Sequence, residues 1–199
     1  NSNSPEEKEK LRFYDDKLLP LYKLYRLETV LEEIQHEKVW LNSGGFLVIQ
    51  QTEAFVSIDV NSGKFTGKKK MQETYRKINL EAAKEIARQL RLRNLSGIIL
   101  IDFINLKSKE CTKDLLEVFQ KELRKDPVQT ILVDMTGLQL VEVTRKKVRK
   151  PLREVVVSAK RSKQAEIIRK EEKNGKKRAE DQCDEDTGKK ENPIYIYHL

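Results

Sequence analysis

Two aspartates in this 199-residue chain each close an apolar run. Asp59 sits near the end of Ala54–Asn61 (AFVSIDVN), and Asp102 follows Gly97–Ile101 (GIILI). A carboxylate there is costly to bury unless it is paired, hydrogen-bonded or metal-bound. Open α/β sheets take their ligands outside the carboxyl ends of the strands. If the two strands are neighbours, both carboxylates reach one crevice, with Asn61 beside Asp59. Two Asp oxygens, an Asn and waters suit Mg²⁺. Such an ion activates water and steadies charge on a phosphoryl oxygen. The competing reading of each residue is a helix cap or turn former, and pattern alone leaves both open.

The elements that must position these residues are legible. Lys38–Leu41 and Phe46–Gln51 flank Asn-Ser-Gly-Gly, a hairpin signal. Ala54–Asn61 alternates, with Val56, Ile58 and Val60 on one side and Phe55, Ser57, Asp59 and Asn61 on the other. A long helix is expected over 72–93, with a buried stripe at Tyr75, Ile78, Ala82, Ile86 and Leu90. Gly97–Ile104 is apolar and β-branched without alternation, which predicts a central strand covered on both faces. A helix over 109–125 and strands at 131–134 and 140–144 follow, and a shorter helix over 27–36 comes earlier. The fold class expected is α/β, a mixed sheet with helical crossovers. Residues 11–24 hold Leu11, Phe13, Tyr14, Leu18, Leu19, Leu21, Tyr22 and Leu24 and must pack on something.

Charge points to a partner. Charged residues make up 36% of the chain, and the formal net charge is +8, favouring a polyanion, nucleic acid before an anionic membrane surface. No apolar run approaches a bilayer span. Cys111 and Cys183 are far apart, which argues against a disulfide scaffold and for a reducing, cytoplasmic setting. The chain opens at Asn1 without a signal-like stretch, so the start of the gene product is expected to lie outside it. Lys64, Lys68, Lys69 and Lys70 lie just after Asp59 and Asn61 as candidate phosphate contacts, and Arg145 and Lys146 as a possible extension. The competing readings are a solvated loop and a charged strand end. Phe65 and Phe46 are candidates for base stacking, with core packing the stronger reading for Phe46. His36 and His198 suggest no catalytic role, Cys111 reads as an inert thiol, and Glu53 and Glu81 read as cap or surface residues.

Three segments carry a resemblance: LNSGGFLVIQQTEAFVSIDVNSGKF (41–65), INLEAAKEIARQLRLRNLSGIILIDFINL (78–106) and LVEVTRKKVRKPL (140–152). Together they resemble the ribonuclease E/G family, and the run Asn79–Arg93 is nearly verbatim. The resemblance implies a DNase-I-like catalytic subdomain over 38–152, preceded at 13–37 by the end of an RNase-H-like subdomain. A disordered lead-in (1–12) and a charged helical or disordered tail (153–199) flank them. It implies that Asp59 and Asp102 bind magnesium and that Asn61 supports the metal and the scissile phosphate. It further implies endonucleolytic cleavage of single-stranded, A/U-rich RNA to 5′-phosphate and 3′-hydroxyl ends. The family's OB-fold RNA-binding domain and 5′-monophosphate sensor precede the matching segment and lie outside these residues. Where the family carries a Cys-Pro-x-Cys zinc link, this chain reads REVVVSAKRSKQ (153–164). Two chains sharing one zinc need two cysteines each, so no zinc site and no zinc-linked dimer is expected, which leaves a homo-oligomer of another kind open. Asn105 stands where the family often has a second acid in IDFID. The rival expectation is a non-catalytic RNA-binding or scaffolding relic of the same family.

Overall fold

A computed structural model describes residues 13–63 and 71–187, with side chains described as far as residue 169. The chain divides into two compact units, 1–152 and 153–199. The first holds helices α1 (Leu21–Leu24), α2 (Leu27–Glu33), α3 (Met71–Arg93) and α4 (Lys109–Leu123). Its strands are β1 (Lys38–Trp40), β2 (Phe46–Gln51), β3 (Phe55–Asn61), β4 (Gly97–Asp102), β5 (Thr130–Met135) and β6 (Leu140–Arg145). The second is one helix in its described part, α5, beginning at the unit boundary and spanning Leu152–Thr187.

The six strands form one mixed sheet in the order β1-β2-β3-β4-β6-β5. β3 and β4 run parallel, and every other pair is antiparallel. The parallel pair is joined by α3, as a parallel connection requires a crossover. This is the α/β architecture, with a mixed sheet and helical crossover, that the sequence predicts.

Alternation decides what is buried. Leu47, Ile49, Val56, Ile58, Val60, Ile99, Ile101, Val141 and Val143 project from one sheet face into a single core. There they meet Ile78, Ala82, Ala83, Ile86 and Leu90 of α3 and Leu115, Phe119 and Leu123 of α4. Phe103 and Phe119 meet edge to face at 5.7 Å. The N-cap of α4 is Ser108, whose Oγ accepts from the Cys111 N–H.

The opposite face corrects one expectation. β4 is central, between β3 and β6, but it is not covered on both sides. Ile99 and Ile101 are buried, while Ile98 is 53% exposed. Residues 13–33 pack less than their apolar content suggests: Phe13, Leu18, Leu21, Tyr22, Leu24 and Leu27 are all exposed.

Candidate active site

The uncovered sheet face carries the two aspartates. Asp59 and Asp102 are register partners across the parallel β3–β4 pair, at the carboxyl ends of both strands. Partners in register share a face, so the two carboxylates stand side by side about one strand spacing apart, ~4.8 Å between backbones. Both residues are exposed. Partial desolvation where Asp102 leaves the strand raises its carboxyl above the ordinary aspartate value, and the negative charge of Asp59 raises it further. Two adjacent carboxylates on an open face suit a shared cation. Asn61, two residues along the same strand face, donates from Nδ2 to Asp59 Oδ2 at 2.8 Å and fixes that carboxylate's orientation.

Asn61 is held from behind by the β1–β2 hairpin. Phe46 is its register partner. At Gly45, a Cβ would stand 2.8 Å from the Asn61 carbonyl oxygen and 2.9 Å from Ile78 Cγ2. Gly63, with φ +67°, approaches the same turn: a Cβ there would lie 2.5 Å from the Gly44 oxygen. The turn is tied to α3 by Glu81, whose carboxylate accepts from the Asn42 N–H at 2.7 Å and the Ser43 N–H at 3.0 Å. Burial pushes the Glu81 carboxyl up, but its hydrogen bonds with Ser43 and Asn42 outweigh this and leave it below the usual range. The sequence reading of Glu81 as a capping or surface residue becomes specific: it is the tether of the turn.

A residue that sequence reasoning missed supports Asp102. Asn79 is fully buried on α3. Its Nδ2 donates to the Ile104 carbonyl at 2.7 Å, and its Oδ1 accepts the Ile104 N–H at 3.1 Å. This pair of hydrogen bonds fixes the backbone as it leaves β4, two residues past Asp102. The available signal was an amide adjoining Ile78 on the buried side of a helix.

A model of the ribonuclease E/G family matches residues 1–148. The chain belongs to the ribonuclease E/G family. Over 152 residues it is 41% identical to ribonuclease G of Salmonella typhimurium (strain SL1344) and 40% identical to ribonuclease G of Escherichia coli (strain K12). Each alignment covers 76% of this chain and 31% of the relative. Ribonuclease E of Nostoc sp. is 44% identical over 128 residues, 64% of this chain and 19% of that protein. The chain thus spans less than a third of the length of these relatives.

A hard cation takes oxygen donors. Asp59 and Asp102 supply two carboxylates, and a donor set this small suits Mg²⁺, which is usually held by one or two carboxylates with water and phosphate oxygens. Among the described residues no group of three or more His, Cys, Asp or Glu side chains is placed to hold a metal. Cys111 is a free thiol.

The basic candidates divide. Lys64, Lys68, Lys69, Lys70 and Phe65 lie outside the described residues. Lys146 is exposed. Arg145 is not a surface residue: its side chain is 4% exposed, and Nε meets Asp126 Oδ2 at 2.8 Å. Its Nη1 donates to Asn94 Oδ1 at 2.8 Å and the Leu95 carbonyl at 3.0 Å. A guanidinium spent on a buried ion pair cannot hold an RNA phosphate, so Arg145 leaves the RNA-binding set. Phe46 departs in the other direction. It is only half-buried and lies on the open face with Trp40, not in the core.

Proposed function

We propose that this chain is the catalytic segment of a magnesium-dependent endoribonuclease that hydrolyses single-stranded, A/U-rich RNA to 5′-phosphate and 3′-hydroxyl ends. The observation that carries this reading is the placement of Asp59 directly across from Asp102 on neighbouring parallel strands of an uncovered sheet face. Family membership supports the ribonuclease activity. The names of its relatives, ribonuclease G and ribonuclease E, agree with it.

Asp59 and Asp102 would hold the ion. When bound, Mg²⁺ supplies charge stabilisation at a phosphoryl oxygen and lowers the cost of forming the attacking nucleophile. The chain's own work is positioning. Asn61 keeps Asp59 from rotating away from its partner. Gly45 and Gly63 permit the close approach that sets Asn61. Asn79 holds the strand end that carries Asp102. Lys64, Lys68, Lys69, Lys70 and Lys146 are assigned to steering RNA phosphates, each contact adding to salt dependence.

Product-end analysis tests the reaction type. Fragments that ligate to a 3′ adaptor without phosphatase treatment and are degraded by a 5′-phosphate-dependent exonuclease support the proposal. Fragments bearing 2′,3′-cyclic phosphates would replace it with an attack by the ribose hydroxyl. RNA bound but uncut would favour a non-catalytic, RNA-binding relic.

A further inference from the structure

The most unusual feature of the open face lies beside the aspartates. Trp40 is on β1, an edge strand, and is 65% exposed. It meets Phe46 edge to face, with ring centroids 5.3 Å apart and planes at 60°. Lys38 Nζ lies 4.1 Å from the Trp40 ring centroid and 3.7 Å from that of Phe46. The cation holds both rings in place through their electron-rich faces. An indole left this open contributes little to the core, so its packing does not explain it.

Register connects the cluster to the candidate catalytic pair. Lys38, Val48, Asp59 and Asp102 form one lateral row across β1, β2, β3 and β4. Trp40, Phe46 and Asn61 form a second row. At ~4.8 Å per strand, Trp40 is about 10 Å from Asn61. A groove of about 560 Å³ joins Lys38, Trp40 and Phe46 to Asn61, Ser62 and Gly63. That size falls within the range of small-molecule sites, ~300–1,000 Å³.

We propose that Trp40, Phe46 and Lys38 form a stacking subsite for one nucleobase of the single-stranded RNA, next to the nucleotide cut at Asp59 and Asp102. The subsite rests on the nuclease reading for its neighbour but not for its own binding. Its chemistry selects the occupant. An exposed aromatic face takes any base by stacking, while the ammonium beside it meets the adjoining phosphate. A polyanion approaching two carboxylates needs such a cation nearby. Stacking also demands an unpaired base, since a duplex keeps its bases inside the helix. The subsite therefore reads strandedness more than sequence.

Trp40 is the single tryptophan of the chain, so its fluorescence reports this site alone. In EDTA, a short single-stranded A/U oligoribonucleotide should quench the emission saturably. An abasic oligomer of the same length and charge should not. By fluorescence anisotropy of labelled RNA, Trp40→Ala should weaken binding of the base-bearing oligomer about 5- to 100-fold and leave the abasic one unchanged. Trp40→Phe should restore most of the affinity. Equal quenching by the abasic oligomer, or unchanged affinity of Trp40→Ala, overturns the subsite. So does an emission change produced by raising protein concentration without RNA, which would mean that a second copy covers the platform. Quenching without Mg²⁺-dependent cleavage would sink the nuclease reading and leave the subsite standing; cleavage without quenching would do the reverse.

Discussion

Removing the charge of Asp102 should abolish function while making the metal-free protein more stable. The two carboxylates face each other across one strand spacing. Two unit charges about 5 Å apart in water repel by about 0.8 kcal/mol. Exposure and physiological salt reduce this further. Asp102→Asn keeps the shape and removes both the repulsion and the desolvation of one charge. The expected gain is a few tenths to about 0.8 kcal/mol, or roughly 1–3 °C in Tm for a chain of this size.

The sign with pH follows from the raised Asp102 carboxyl. An acid whose folded pKa is raised favours the native state when protonated. Its contribution is fully present below the unfolded value of about 3.9 and is lost as pH rises through the folded value. The advantage of the Asn variant should therefore appear at about pH 8 and vanish near pH 4. Thermal unfolding in EDTA at low salt reads it directly. Added Mg²⁺ at ten times its Kd should then stabilise the parent by about 1.4 kcal/mol and leave Asp102→Asn unmoved. A variant less stable than its parent in EDTA at pH 8, or an equal Mg²⁺ shift in both, would refute the shared-cation argument.

Three further outcomes test the scaffold. Asp126→Ala should cost about 3–5 kcal/mol by urea denaturation, because it leaves Arg145 buried without its partner. Burial pushes the Asp126 carboxyl up, but hydrogen bonds from Arg145 and the Val128 N–H, with the Arg145 charge, bring it below the usual range; its contribution should be present above about pH 4 and lost as pH falls below that, which acid titration of the urea midpoint detects. Gly45→Ala drives a Cβ into the Asn61 carbonyl and Ile78, so a loss of about 1–3 kcal/mol should accompany a fall in cleavage rate; unchanged stability and rate would deny that the turn positions Asn61. Asn79→Leu strips the Ile104 backbone of both partners, at about 1–3 kcal/mol for each group left unsatisfied. Its cleavage rate, measured well below the variant's Tm, should still fall if Asn79 positions the end of β4.

Much of this arrangement was legible from residue order. Asp59 and Asp102 stand out as candidates because each follows β-branched apolar residues, and the alternation in AFVSIDVN puts Asp59 and Asn61 on one side. Their partnership in register was not legible, since strand neighbours depend on the crossover α3 rather than on local pattern. Composition and period point in different directions at two places. Ile98 and Leu100 made β4 look buried on both faces, although Ile98 belongs to the open one. Arg145 looked like part of a basic patch, yet it shares the period-two phase of Val141 and Val143 and so points inward with them. Composition likewise favours core packing over base stacking for Phe46, although Leu47 and Ile49 are the inward residues of β2. Trp40 carries no signal by itself; only its pairing with Phe46 and Lys38 across the hairpin gives it meaning.

The most direct test of the central claim is cleavage of a 5′-labelled, single-stranded A/U-rich RNA by the purified chain. Reactions with Mg²⁺, with EDTA, and with the folded Asp59→Asn/Asp102→Asn protein belong side by side. Cutting that requires Mg²⁺ and disappears in the double variant is the predicted result. Cutting that persists in EDTA or in the double variant would contradict an active site built on these two carboxylates.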